Sequence, residues 1–202
     1  MSETPEASPS PPQTPTPPTG RARRLWLRFL PLAAFACLAA AFFMALMRPA
    51  TDALPSRLIG VPAPAFALPS LKEGGGEITL ESFKGEGPAL VNFFASWCPP
   101  CHAEHPELMR LAASGEARVY GVSYKDAPAD TLNFLEKLGD PFREVAVDQR
   151  GRTAIDWGVS GAPESFVLSP EGVVAYRHFG PINPGDLDRL ILPALRKAAQ
   201  GR

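Results

Sequence analysis

Cysteine is scarce in this sequence, with three in 202 residues. So few cannot make a multi-disulfide framework, and any folded region must be held by an apolar core. Net charge is nearly absent as well: 20 Lys+Arg against 21 Asp+Glu give −1. That removes the strongly basic footprint through which a nucleic-acid binder meets its partner. There is no internal repeat and no phosphate-cradling loop, because Gly74-Gly75-Gly76 lacks the strand–loop–helix setting such a loop requires. What the chain does have is a globular balance, 45% hydrophobic and 20% charged, together with 24 prolines. Neither is spread evenly.

Seven of the prolines fall within residues 1–20, a stretch with no large apolar residue after Met1. It cannot bury enough surface to offset its ordering entropy, which predicts a disordered tail of polyproline II character over residues 1–24. Residues 25–47 then read as a transmembrane anchor. Phe29 to Met47 are 19 consecutive uncharged residues, about 28 Å of helix against a hydrocarbon core of about 30 Å. Pro31 falls in the first turn, where it does least harm, and Trp26 at the interface. Arg21, Arg23, Arg24 and Arg28 precede the run and only Arg48 follows closely, so the N-terminus is expected in the cytoplasm and the remainder exported. A cleaved signal, cut after Ala53, is the alternative. The apolar run is longer than the usual h-region of about 7–15 residues, and no A-x-A site follows it. Cys37 sits in mid-span, where a thiol stays protonated and is neither nucleophile nor ligand. The near-zero charge is thus a sum of unlike parts. Residues 1–48 carry 5 Lys+Arg against 2 Glu, and the rest 15 against 19 acidic residues, net −4.

After a linker over residues 48–57, strands and helices alternate across residues 58–200. Residues 89–95 (ALVNFFA) are a nearly continuous apolar run, as expected of a strand buried on both faces. Helix is predicted over 99–113 with Gly115 as its stop, and a second buried strand over 117–123. A helix over 130–138 places Leu132, Leu135 and Leu138 on one stripe. A short strand follows over 143–147, then a hairpin of 165–168 with 173–177 around Ser169-Pro170-Glu171-Gly172. A last helix, 184–199, turns Leu187, Leu190, Ile191 and Leu195 inward. This order gives an α/β sandwich with a mixed sheet.

The chemistry is carried by Trp97-Cys98-Pro99-Pro100-Cys101-His102. Cys98 follows the apolar strand where a helix begins, so backbone amides and the helix dipole favour its thiolate. Pro99 suits the first helical position. The spacing puts Cys101 one turn on, within disulfide reach, which suggests an exposed nucleophile at Cys98 and a more buried resolving thiol at Cys101. A purely structural bridge closing so small a loop would restrain the unfolded chain little. Covalent haem is suggested by the literal C-x-x-C-H, but needs a setting unlike strand–CxxC–helix. Metal capture, of copper or zinc, would use Cys98, Cys101 and His105, with no fourth ligand evident. Dithiol exchange accounts best for the pattern. Read alone, Glu104, one turn beyond Cys101, is a solvated helix carboxylate, and Trp97 a core aromatic.

These residues resemble a known active site. Phe93-Phe-Ala-Ser-Trp-Cys-Pro-Pro-Cys101, with Pro106 in the following helix, is similar to that of the thioredoxin superfamily. More narrowly, Leu58–Phe66, Ala103-Glu-His105, Gly121–Asp126, Gly158–Phe166 and Tyr176-Arg-His178 resemble the CcmG/DsbE thiol:disulfide interchange proteins of cytochrome c maturation. The long Pro-rich tail departs from that pattern. The resemblance implies a thioredoxin-like domain behind one membrane anchor in the inner membrane, facing the periplasm. It implies reduction of a disulfide in apocytochrome c, or in its thiol-handling assembly partners, and re-reduction by a DsbD-type transmembrane reductase. It also implies that Pro163 is a cis-proline facing the cysteine pair, that Glu104 could take or return a proton near Cys101, that Trp97 shields the disulfide, and that Glu164 and Asp156 add negative charge there, which would tune the site toward reduction. Such chemistry needs no metal, flavin or nucleotide. The rivals are a general periplasmic reductase or oxidase on the same fold, and a copper-handling protein using Cys98, Cys101 and His105.

Overall fold

The computed structural model describes residues 21–46 and 57–200, with side chains over 29–44 and 57–200. The predicted tail up to residue 20, the linker over 48–56, the cut after Ala53 and the side chain of Trp26 lie outside the described residues. What is described falls into two units.

The first unit is helix α1, Arg21–Leu46. Every side chain described in it, from Phe29 to Met44, is exposed, including Phe35, Leu38, Phe42 and Phe43. Among the described residues no helix is long and apolar enough to cross a membrane.

The second unit is an α/β sandwich. Its elements are β1 (Ala67–Pro69), β2 (Glu77–Thr79), α2 (Leu80–Phe83), β3 (Ala89–Phe94), α3 (Pro99–Ser114), β4 (Arg118–Tyr124), α4 (Pro128–Leu138), β5 (Glu144–Asp148), α5 (Arg152–Asp156), β6 (Glu164–Leu168) and β7 (Val174–Phe179). A π-helical turn at Leu187–Ile191 leads into α6, Leu192–Ala199. The five-stranded sheet runs β5-β4-β3-β6-β7, parallel across β5, β4 and β3 and antiparallel from β3 through β6 to β7. This is the mixed sheet the sequence predicts, with β1 and β2 added as a separate antiparallel hairpin.

Residues alternate between the two faces of the central strand, as the strand's period of two dictates. Leu90 and Phe94 pack with α3, α4 and α6, against Leu108, Leu111, Phe134, Ile191 and Leu195. Ala89, Val91 and Phe93 pack on the other side with Phe83, Tyr120, Trp157 and Phe166. Asn92 shares the parity of Leu90 and Phe94, which directs it at α3. Burying each large apolar side chain here contributes roughly 1.5–3 kcal/mol.

The structure departs from the sequence reading in three places. The stripe buried on α4 is Thr131, Phe134 and Leu135, while Leu132 and Leu138 are 47% and 42% exposed. A spacing of three repeated twice drifts off a helix face that advances 3.6 residues per turn. Thr131 takes the inner place because its hydroxyl has polar partners inside, Asp126 and Ser123. Leu190 is likewise 41% exposed, because the π-helical turn rephases the last helix around Leu187, Ile191 and Leu195. Finally, β1, β2, α2 and α5 are three to five residues long, too short to show a period.

Candidate active site

Between the end of β3 and the start of α3 the chain turns through Ala95, Ser96, Trp97 and Cys98. Cys98 is the N-cap of α3, in extended conformation, and the Cys101 amide donates to its Sγ at 3.3 Å. Pro99 fills the first helical position, where its missing N–H costs nothing. Pro99 and Pro100 are exposed. A disulfide joins Cys98 to Cys101, with Cα atoms 5.3 Å apart.

Cys98, expected to be exposed, is 2% accessible in this oxidised state, and Cys101 1%. The reason lies across the site: the loop leading into β6 brings the Ala162 carbonyl oxygen to 3.4 Å from Cys98 Sγ. The Ala162–Pro163 peptide is cis. Trp97 is not a core aromatic; it is 57% exposed. Its indole N–H donates to the Lys125 carbonyl at 3.1 Å, which fixes it at the edge of the site.

The turn itself is pinned from β4. Asp126, buried two residues beyond that strand, accepts the Ser96 amide at 2.7 Å and the Ser96 hydroxyl at 2.9 Å. Thr131 donates to the same carboxylate at 3.0 Å and bonds Ser123 at 2.7 Å. His102 Nε2–H closes the turn from the other side, donating to the Ser96 carbonyl at 2.8 Å.

Glu104 is inside, not solvated: it is 1% exposed. Its Oε1 accepts the Asn92 amide at 2.9 Å, and its Oε2 accepts the Ile182 backbone N–H at 2.9 Å. Burial raises its pKa to about 7, against the pull of those two hydrogen bonds, which favour the ionised form. A carboxyl poised near neutrality, one turn beyond Cys101, is chemically suited to exchanging protons at working pH.

The acidic residues expected to charge the site do something else. Glu164 is buried and accepts Ser160 N–H and O–H on one oxygen, and Arg177 on the other. Arg177 is itself 8% exposed and lies over the rings of Phe166 and Phe179. The ion pair has no net charge to direct at Cys98, and it holds the 158–164 loop in place. Asp156, at the end of α5, is exposed and has no hydrogen bond to the site.

The metal reading does not assemble. His105 Nε2–H is engaged by the Gly139 carbonyl at 2.9 Å, and its ring stands edge-on to Phe134. Burial lowers its pKa. Among the described residues no group of three His, Cys, Asp or Glu side chains is placed to hold a metal.

Sequence reasoning assigned no role to Asn92, Ser165, Ser96, Asp126, Thr131 or Arg177. Only Asn92 advertised itself, as a polar residue within a buried apolar strand, where a partner is obligatory. Asn92 Nδ2 donates to Ser165 Oγ at 3.0 Å as well as to Glu104, so β3, α3 and β6 meet in one buried polar trio.

Comparison with known proteins agrees with this geometry. The Redoxin family model matches residues 58–191. A thiol:disulfide interchange protein DsbE homolog of Paracoccus denitrificans is 46% identical over 172 residues, covering 85% of this chain and 94% of that protein. DsbE of Yersinia pestis is 40% identical over 179 residues, covering 87% and 95%. Among solved structures, a thiol:disulfide interchange protein of the thioredoxin family from Chlorobium tepidum superposes with a TM-score of 0.54 at 29% identity, over 72% of this chain and 99% of that one.

Proposed function

The chain belongs to the Redoxin family as a DsbE-type thiol:disulfide oxidoreductase, and on that premise we propose that it reduces apocytochrome c, or the proteins that handle its thiols, from a membrane anchor in the periplasm. The observation that carries the proposal is the constellation at the start of α3: a Cys98–Cys101 disulfide under the Ala162 carbonyl, beside a buried carboxyl held near neutrality.

In the reduced protein the Cys98 thiolate, favoured by the helix terminus and the Cys101 amide, attacks one sulfur of the substrate disulfide. A Cys98–substrate disulfide forms and the first substrate thiolate leaves. Cys101 then loses its proton to Glu104 and attacks Cys98 Sγ. The second substrate thiolate leaves, so two electrons have passed to the substrate and the protein holds its own disulfide. Glu104 returns the proton when a DsbD-type transmembrane reductase restores the dithiol. Trp97 and the Ala162–Pro163 loop frame the opening through which these partners reach Cys98, with Pro99 and Pro100 on its helix side.

The anchor is residues 25–47. Its support is the uncharged run from Phe29 to Met47, the exposure of the α1 side chains described from Phe29 to Met44, and the arginines that precede it. On this reading the tail lies in the cytoplasm and residues 58–200 in the periplasm. The test is Cys101→Ala in intact cells, which leaves mixed disulfides on Cys98 unresolved. Apocytochrome c, or its assembly proteins, should be the trapped species. A broad set of unrelated exported proteins would instead make this a general reductase.

A further inference from the structure

We propose that Asn92 is a positioning residue for Glu104, turning its amide end for end as that carboxyl gains or loses its proton. The inference rests on the reading of Glu104 as the proton store for Cys101.

Asn92 lies in the middle of β3 with no exposed surface. Both hydrogens of its Nδ2 are used, one on Glu104 Oε1 at 2.9 Å and one on Ser165 Oγ at 3.0 Å. Its Oδ1 is buried with no partner; among the described residues the only other such side-chain atom is Arg118 Nε. An unmet buried acceptor is a cost that an apolar residue at this position would avoid, and such atoms call for a reason.

The reason lies in what the present orientation serves. With Nδ2 toward Glu104, the amide is a donor and fits the carboxylate alone. The other carboxyl oxygen, Oε2, faces the fixed backbone N–H of Ile182, so a proton on Glu104 belongs on Oε1. There it would meet the Nδ2 hydrogens, donor against donor. Turning the amide brings Oδ1 to that point, where its two lone pairs accept the carboxyl O–H and the Ser165 O–H together. Ser165 follows because a hydroxyl both donates and accepts. The unmet atom passes from Oδ1 to Nδ2, so each protonation state leaves one amide end unsatisfied and neither is locked. That symmetry fits a carboxyl that burial raises to about 7.

The other titratable or charged groups on the elements around Glu104 are occupied. Cys98 and Cys101 on α3 are in the disulfide. Glu164 on β6 is paired with Arg177 of β7, and the His178 ring bonds the Pro181 carbonyl.

The experiment uses the oxidised full chain in detergent micelles, labelled with 15N at its three asparagines, Asn92, Asn133 and Asn183, and with 13C at its glutamates. Across a titration of the Glu104 carboxyl carbon, both Asn92 amide protons should move upfield together below the midpoint, and Glu104→Gln should abolish the step. In Asn92→Leu the Glu104 midpoint should rise by about one pH unit, because the charge-assisted bond lost by the ionised form is stronger than the neutral one lost by the protonated form. The wild-type amide signals need no variant to fold. Movement of only the proton facing Glu104, or amide signals that stay fixed while the carboxyl titrates, would overturn the turning amide. An unchanged midpoint in Asn92→Leu would overturn the positioning role. If the amide follows the carboxyl but Glu104→Gln leaves the pH profile of disulfide exchange unaltered, the inference stands and the proton-store reading falls.

Discussion

Replacing Glu104 by Gln should make the protein more stable in mild alkali and slightly less stable in acid. The carboxyl has a pKa of about 7 in the fold against an ordinary 4.5, a rise of about 2.5 caused chiefly by burial. Between those values the folded state binds the proton that the unfolded chain has released. The neutral carboxyl therefore contributes stability that is full below about pH 4.5 and is lost as the pH climbs through 7. At 1.36 kcal/mol per unit of pKa the loss is roughly 3 kcal/mol. Glutamine has no such loss, and its oxygen can accept from Ile182 while its NH2 donates to the turned Asn92, but the second hydrogen of that NH2 finds no acceptor in the buried trio. That is a pH-independent cost of about 1 kcal/mol. The variant should then be about 1 kcal/mol less stable at pH 4 and about 2 kcal/mol more stable at pH 8.5, with the curves crossing near pH 5. Guanidinium unfolding of the oxidised protein, followed by fluorescence of the buried Trp157, reads this directly. Keeping the disulfide intact removes the thiols from the linkage. Two stability curves running parallel from pH 4 to 8.5 would refute the reasoning, since they would mean that Glu104 is ionised throughout.

Other expectations concern the scaffold. Arg177→Met leaves Glu164 buried with no counter-charge and should cost about 3–5 kcal/mol in chemical denaturation, most of it recovered by adding Glu164→Gln. No recovery would mean that Arg177 acts by packing on Phe166 and Phe179 rather than by charge. Asp126→Ala strips the Ser96 amide and hydroxyl and the Thr131 hydroxyl of their acceptor. It should lose about 2–3 kcal/mol and slow disulfide exchange as the turn before Cys98 loosens; an unchanged rate would show that the turn is held without it. On α4, Phe134→Ala should cost about 3–5 kcal/mol and Leu132→Ala under about 0.5 kcal/mol, and equal costs would contradict the stripe seen here.

Much of the fold was legible because it depends on patterns within single elements. The buried strands declare themselves as apolar runs, and Gly115 ends α3 in the left-handed conformation its sequence position suggested, φ +69°. The hairpin of β1 and β2 was not legible: its three-residue strands, one ending in Pro69, are set by pairing with each other rather than by any period. The cysteines were legible for the same local reason, since spacing alone puts them one helical turn apart. The state of Glu104 was not. From sequence it sits on a helix with an exposed residue on one side, and solvation is the ordinary expectation. What buries it is the loop after β7, whose Ile182 amide arrives from 78 residues away. Glu164 shows the same limit, because its charge depends on Arg177, contributed by the neighbouring strand.

A buried trio of Asn92, Glu104 and Ser165 is an expensive thing to keep beneath a disulfide. Apolar side chains of similar volume would remove one unmet amide end and one carboxyl that must ionise out of water, and a core of this kind tolerates such replacements. Stability therefore does not explain the trio, and neither does specificity of pairing, because β3 is already aligned with β4 and β6 along its length. What the polar groups do supply is a carboxyl whose pKa burial raises to about 7, so that its ionised form is a stronger base toward a thiol proton than a solvated carboxylate of pKa 4.5. Exchange at Cys101 is served by such a group, since that residue is 1% exposed and out of ready reach of bulk solvent. On the proposed reading Glu104 meets that need from within α3 itself, so the helix that has the nucleophile as its N-cap carries the proton store one turn beyond the resolving thiol. The free energy lost in burying the carboxyl is then what holds it near pH 7, and a variant that regains that stability should lose the proton transfer with it.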